Sequence, residues 1–142
     1  MKMTLILLSL AALAFLAFAL WVRLAPSDPG RWHVDPAATA DPTRPNFARA
    51  ERMLPLPPEE VRARLDALAR DRGAERLAGD AALVTYVART RLMGYPDYLS
   101  FRLDPAEGGG THLQALSRSR FGQGDMGVNK ARLTRWLDRL SG

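Results

Sequence analysis

The polarity pattern changes character three times along the chain. From Leu5 to Val22 every residue except Ser9 is apolar. Eighteen helical residues span roughly 27 Å, close to the thickness of a bilayer core. Lys2 precedes the run, and Trp21 and Arg23 close it, as interfacial anchors do. Residues 1–23 therefore read as a single-pass N-terminal membrane anchor. The rival reading is a cleaved signal peptide. Ala17-Phe18-Ala19 offers a small-residue match, but cleavage there strands Leu20, Trp21 and Val22 at the new N-terminus. Flanking charges do not set the orientation. The signal-like order of a basic start and an apolar run places the rest of the chain outside the cytoplasm, on the periplasmic side of the cell membrane.

Periodicity then disappears. Eight of the ten prolines fall between Pro26 and Pro58. Such prolines hold the chain extended or turning. Residues 24–54 are expected to form a semi-stiff linker at about 3 Å per residue. Trp32 is the exception, because an aromatic ring of that size packs on something; its own domain is the simplest partner.

Regular patterns return in residues 55–142. "PPEEVRARLDALARDRG" predicts a helix, with Pro58 in the first turn, Glu59 and Glu60 at the positive end, and Gly73 past the C-terminus. Val61, Leu65 and Leu68 form its apolar stripe. Four strand-like runs follow: "ERLAG", "LVTYVARTRL", "YLSFRL" and "THLQALSRSR". Gly- and Asp-rich turns separate them, so neighbouring strands should be antiparallel. Leu133, Trp136, Leu137 and Leu140 then give a last helix one apolar face. The expected fold class is α+β: a two-layer, antiparallel four-stranded meander with two helices packed on one face, preceded by the transmembrane helix.

Alternation sorts the strands into faces. Val84, Tyr86, Leu99, Phe101, Leu103, Leu113, Ala115, Ser117 and Ser119 share the more apolar face, which should lie under the helices. Thr85, Val87, Tyr98, Ser100, His112, Gln114 and Leu116 share the other face with five arginines: Arg89, Arg91, Arg102, Arg118 and Arg120. In a meander Arg91, Arg118 and Arg120 should gather at one end, with Asp97 and Asp125 in the adjoining loops. Clustered like charges need acids or an anion between them. The two acids can supply that. So can a bound phosphate, carboxylate or lipid headgroup, or an acidic protein partner.

Charge follows the same division. Between Arg23 and Ala88 ten arginines meet ten acids, whereas Arg89–Gly142 carries nine basic and five acidic residues. No basic run of five appears, so nucleic acid is not an expected partner. With no cysteine and only His33 and His112, no metal site is expected. Gly122, Gly124 and Gly127 spell G-x-G-x-x-G, but no dinucleotide site follows. The preceding strand carries Arg118 and Arg120, and no second strand with an acid comes after. No cofactor is expected. Gly122 and Gly124 should instead supply positive φ, and Asp125 should cap the last helix. No catalytic residues are assigned, because His112 and Ser117 or Ser119 point through opposite sheet faces.

"TYVARTRLMGYPDYLSFRL" and "SRSRFGQGDMGVNKARLTRWLDRL" resemble the bacterial family catalogued as domain of unknown function 1499. The most specific residues are Ser117, Arg118, Ser119, Arg120, Gly122, Asp125, Gly127, Asn129 and Arg132. "RWHVDP" after an anchor is similar to its membrane-attached members. The resemblance implies one domain and a membrane address, and no chemistry. The sequence thus points to a membrane-anchored extracytoplasmic binding or assembly module for an anionic ligand or acidic partner. The alternative is a hydrolase-type envelope enzyme using acids near the arginines.

Overall fold

The structure, a computed structural model, describes residues 1–91, 93–124 and 126–141. Helix α1 (Lys2–Leu24) is followed by one helical turn, α2 (Pro29–Trp32), which Asp28 caps by accepting from the Gly30 amide. Strand β1 (Phe47–Leu54) precedes helix α3 (Pro58–Asp71). Strands β2 (Glu75–Gly79), β3 (Leu83–Arg89), β4 (Pro96–Pro105) and β5 (Thr111–Ser119) come next, and helix α4 (Val128–Ser141) closes the chain.

The mixed α+β class and the antiparallel pairing agree with the sequence pattern. The strand count does not: the sheet has five strands in the order β1-β5-β4-β3-β2. The expected four-stranded meander is its β2-to-β5 part. The fifth strand comes from "FARAERML", which reads as the end of the linker. Its helix-side positions are Ala48, Ala50, Arg52 and Leu54, and its outer side carries Arg49 and Glu51. Small inward residues and a charged outer side are how an exposed edge strand avoids further pairing. They also erase the apolar alternation by which a strand is recognised.

Both long helices lie on the face assigned to them. Val61, Leu65 and Leu68 of α3 and Leu133, Trp136, Leu137 and Leu140 of α4 share one cluster with Val84, Tyr86, Leu99, Phe101, Leu103, Leu113 and Ala115. Trp136 stacks on Phe101 with ring centroids 5.7 Å apart. Ala115 stands opposite Phe101 across the β4–β5 pair.

A polar post stands at the rim of this core. Asp66 on α3 accepts from the Tyr86 hydroxyl at 2.7 Å, from Arg76 at 2.9 Å and from Arg62 at 3.2 Å. Partial burial alone would raise the Asp66 pKa. The Tyr86 hydrogen bond and the charges of Arg62 and Arg76 outweigh it and hold the group below its ordinary value. Because the folded pKa is depressed, this stabilisation is fully present above the unfolded value, about 4, and is lost as pH falls through the folded value. Asp66→Asn is therefore expected to flatten the fall in stability below pH ~4, read as the unfolding midpoint of the detergent-solubilised protein against pH. An unchanged slope would remove Asp66 as a source of acid sensitivity.

Candidate functional site

The second face of the sheet is not a bare wet surface. Residues 27–41, expected as a free linker, cross it as a strap. The Ser27 hydroxyl meets the Tyr98 hydroxyl at 2.8 Å, and Trp32 stacks on the Tyr98 ring with centroids 4.1 Å apart. His33 Nδ1 lies 2.9 Å from the Thr85 hydroxyl, itself 2.8 Å from that of Ser100. Asp35 pairs with Arg102 at 2.8 Å. Arg49 of β1 ties the far end, donating to the Pro36 and Thr39 carbonyls and pairing with Asp41. Thr85, Tyr98 and Ser100 are thereby fully buried although they face away from the helices. The linker keeps its prolines without being a spacer, because its polar groups find partners on the sheet.

The strap redistributes the five arginines. Arg102 lies toward the other end of the sheet, between Asp35 and Asp104. Arg89 ends β3 and donates to the Gly94 carbonyl at 3.1 Å. Arg91 sits beyond the strand, in the turn closed by Thr90 and Tyr95. Arg118 and Arg120 stay together at the end where β5 finishes. Asp97 is not in a loop. It lies within β4, 2% exposed, on the helix side, and pairs with Arg132 of α4. Asp125 lies outside the described residues, and so does its expected capping role.

Arg118 and Arg120 line a cleft of about 350 Å³ together with Arg31, Arg44, Trp32 and Asn46. No acid is among its lining residues, and among the described residues none of these four arginines makes an ion pair. The Arg118 guanidinium lies 4.9 Å over the Trp32 ring and donates to the Arg31 and Trp32 carbonyls at 3.3 Å. Its Nε is buried without a hydrogen-bond partner. Burial and the nearby charge of Arg31 push its pKa below the ordinary arginine value. Arg120 donates to the Pro26 carbonyl at 2.8 Å, two residues beyond the end of α1. Arg31 and Arg44 were not among the expected site residues, because nothing in a Pro-rich stretch says which sheet face it will cover. Trp32 was the one usable signal.

The S-R-S-R strand divides by parity into two jobs. Arg118 and Arg120 face the cleft. Ser117 and Ser119 face α4, where fully buried Asn129 accepts from the Ser117 hydroxyl at 2.5 Å and donates to Ser119 Oγ at 2.8 Å and to the Asn46 carbonyl at 3.0 Å. Asn46 in turn donates to the Gly122 carbonyl at 2.9 Å. Positive φ occurs at Gly122, Met126 and Gly127; Gly124, expected among them, does not adopt it. The glycines thus shape a loop held by side-chain amides, and the two serines are engaged in that network. His112 pairs with Glu51, away from both serines.

These features define an α+β protein whose antiparallel sheet is clasped between two helices and an N-terminal strap, with an apolar helix long enough to cross a membrane ahead of it. The chain belongs to the DUF1499 family of proteins of unknown function, whose pattern matches residues 22–140 and so takes in the strap as well as the sheet. Among solved structures it is similar to protein MLL2253 from Mesorhizobium loti, at 15% identity and a TM-score of 0.53, over 67% of this chain and 93% of that one. Protein CV1439 from Chromobacterium violaceum is similar at 18% identity and a TM-score of 0.50, over 68% and 96%. At these identities the likeness concerns the fold alone. No curated protein matches the chain.

Proposed function

We propose that this protein is a membrane-anchored extracytoplasmic binding module whose cleft of Arg31, Arg44, Arg118 and Arg120 recognises a phosphate-bearing anion at the membrane surface. The supporting observation is four guanidinium groups converging on one cleft with no acid among its lining residues. Arg suits such a ligand because its planar fork makes paired hydrogen bonds to phosphate oxygens. The strap holds Arg31 against Arg118, and an anion between them relieves their repulsion. The Arg120–Pro26 contact sets the cleft beside the membrane exit of α1, which favours a phospholipid headgroup as the source. The hydrolase alternative draws less support, since Asp97 is engaged by Arg132.

Calorimetric titration of the full-length protein in a neutral detergent with a short-chain phosphatidylglycerol tests this reading. The Arg118→Gln/Arg120→Gln variant, with folding checked by circular dichroism, is expected to bind at least about tenfold more weakly, as loss of about 1.4 kcal/mol requires. Equal affinity in parent and variant, or equal affinity for short-chain phosphatidylcholine, would overturn it.

A further inference from the structure

The end of the sheet carries an apolar surface that the anion cleft does not use. Met126 and Val128, flanking Gly127 where the loop enters α4, are 103% and 41% exposed. Among the described residues beyond α1, they and Met53 are the exposed large apolar side chains. Met126 also holds a positive φ of 49°, a conformation with a steric cost for a non-glycine residue. A loop that spends backbone strain to present methionine to water is poorly explained by folding alone.

Its neighbours say what covers it. Phe121, in the same loop, meets the Trp21 ring of α1 edge-on at 6.0 Å and the Tyr95 ring of the β3–β4 turn at 5.5 Å. Val22 is fully buried, and Arg23 donates to the Arg91 carbonyl at 3.2 Å. A methyl group added at Gly94 would lie 2.5 Å from Arg23 Cγ, so the helix end sits closely on the turn. Trp21 closes the apolar run, at the depth where indole rings settle between hydrocarbon and headgroups. Whatever packs on Trp21 shares that depth. The Arg120 guanidinium lies 5.3 Å over Phe121, and Arg91 is exposed in the turn that carries Tyr95, an aromatic and cationic rim of the kind found at bilayer interfaces.

We infer that Phe121, Met126 and Val128, beside Tyr95 of the neighbouring turn, form a second membrane contact, in which Phe121, Met126 and Val128 enter the interfacial layer of the bilayer that α1 spans. This contact rests on α1 being a retained anchor, and it is independent of ligand binding in the cleft. It pins the domain to the surface in one orientation instead of leaving it tethered.

The absence of cysteine makes the test direct. Full-length Met126→Cys, Leu10→Cys and Glu107→Cys, each labelled with an environment-sensitive fluorophore, are reconstituted into phosphatidylcholine vesicles containing spin-labelled lipid. Glu107 marks the opposite end of the sheet, in the β4–β5 connection. The expected result is strong quenching at Leu10, clear quenching with blue-shifted emission at Met126, and none at Glu107. Quenching at Leu10 with a Met126 label open to aqueous iodide would overturn the contact while leaving the anchor intact. No lipid quenching at Leu10 would overturn the anchor, and this contact with it. Because labelling itself adds an apolar group, Met126→Ser/Val128→Ser in the Glu107-labelled background is the second measurement. That variant should show increased rotational mobility of the domain by fluorescence anisotropy, and unchanged anisotropy would count against the contact.

Discussion

Arg132→Gln is expected to destabilise the protein by about 3–5 kcal/mol, because it leaves a buried carboxylate without its counter-charge. Asp97 is 2% exposed beneath α4, and Arg132 is its ion-pair partner. Little of the carboxylate is open to water that could replace a lost guanidinium. Denaturant unfolding of the detergent-solubilised chain, followed by circular dichroism, measures the loss. Asp97→Asn combined with Arg132→Gln should recover part of it, since the uncompensated charge is gone, and the double-mutant cycle isolates the coupling. A single-variant loss under about 1 kcal/mol would mean the pair is as weak as a surface salt bridge.

The second large effect is expected at Asn129. Its fully buried amide joins β5, α4 and the residue preceding β1 through hydrogen bonds to Ser117, the Asn46 carbonyl and the half-buried Ser119. Asn129→Ala removes both halves of the amide at once. The Ser117 and Ser119 hydroxyls lose their partner, while the Asn46 carbonyl keeps the Ser119 amide at 3.0 Å. At about 1–3 kcal/mol for each buried group left unpaired, a total near 3 kcal/mol is expected. The loop after β5 should also loosen, because Asn46 holds the Gly122 carbonyl. Hydrogen exchange at residues 119–124 should speed up more than exchange in β3 or β4. Uniform acceleration across the sheet would show that the network supports global stability without holding the loop.

Asn129 and the cleft together give the S-R-S-R strand its two roles. Alternate residues point to opposite faces, so one short strand serves two structures: the serines lock a helix and the arginines line a cleft. Counting by twos along β3, β4 and β5 is enough to separate these faces, because each strand carries a continuous apolar side. The same count does not reveal β1, whose inward positions are two alanines, Arg52 and Leu54. It also cannot place Asp97: its parity matches Leu99 and Phe101, but its polarity and the neighbouring Gly-Tyr-Pro turn suggest a loop. The arginine that buries it lies 35 residues away.

The strap is the clearest case of information absent from local pattern. Prolines exclude helix and strand, and the remaining residues are those of a linker. Trp32 alone signals packing, and it does not name Tyr98 and Arg118 as its partners. Arg31 and Arg44 enter the cleft only because the strap is hydrogen-bonded across the sheet. Arg102 leaves the cluster for a related reason. It sits four positions after Tyr98, Arg118's cross-strand partner on β4, toward the end where Asp35 and Asp104 claim it.

By itself, then, the sequence determined what depends on neighbouring residues. These are the apolar N-terminal helix, two amphipathic helices, the antiparallel order of four strands, and the side of the sheet on which each side chain emerges. Periodicity and turn chemistry act over a few residues, and they are written in consecutive positions. Only the tertiary structure decided that residues 27–41 form a covering layer, that Arg31 and Arg44 join Arg118 and Arg120, and that Phe121 rests on Trp21. Those contacts join positions that local chain geometry does not link, and burial together with charge pairing across the assembled sheet selects them.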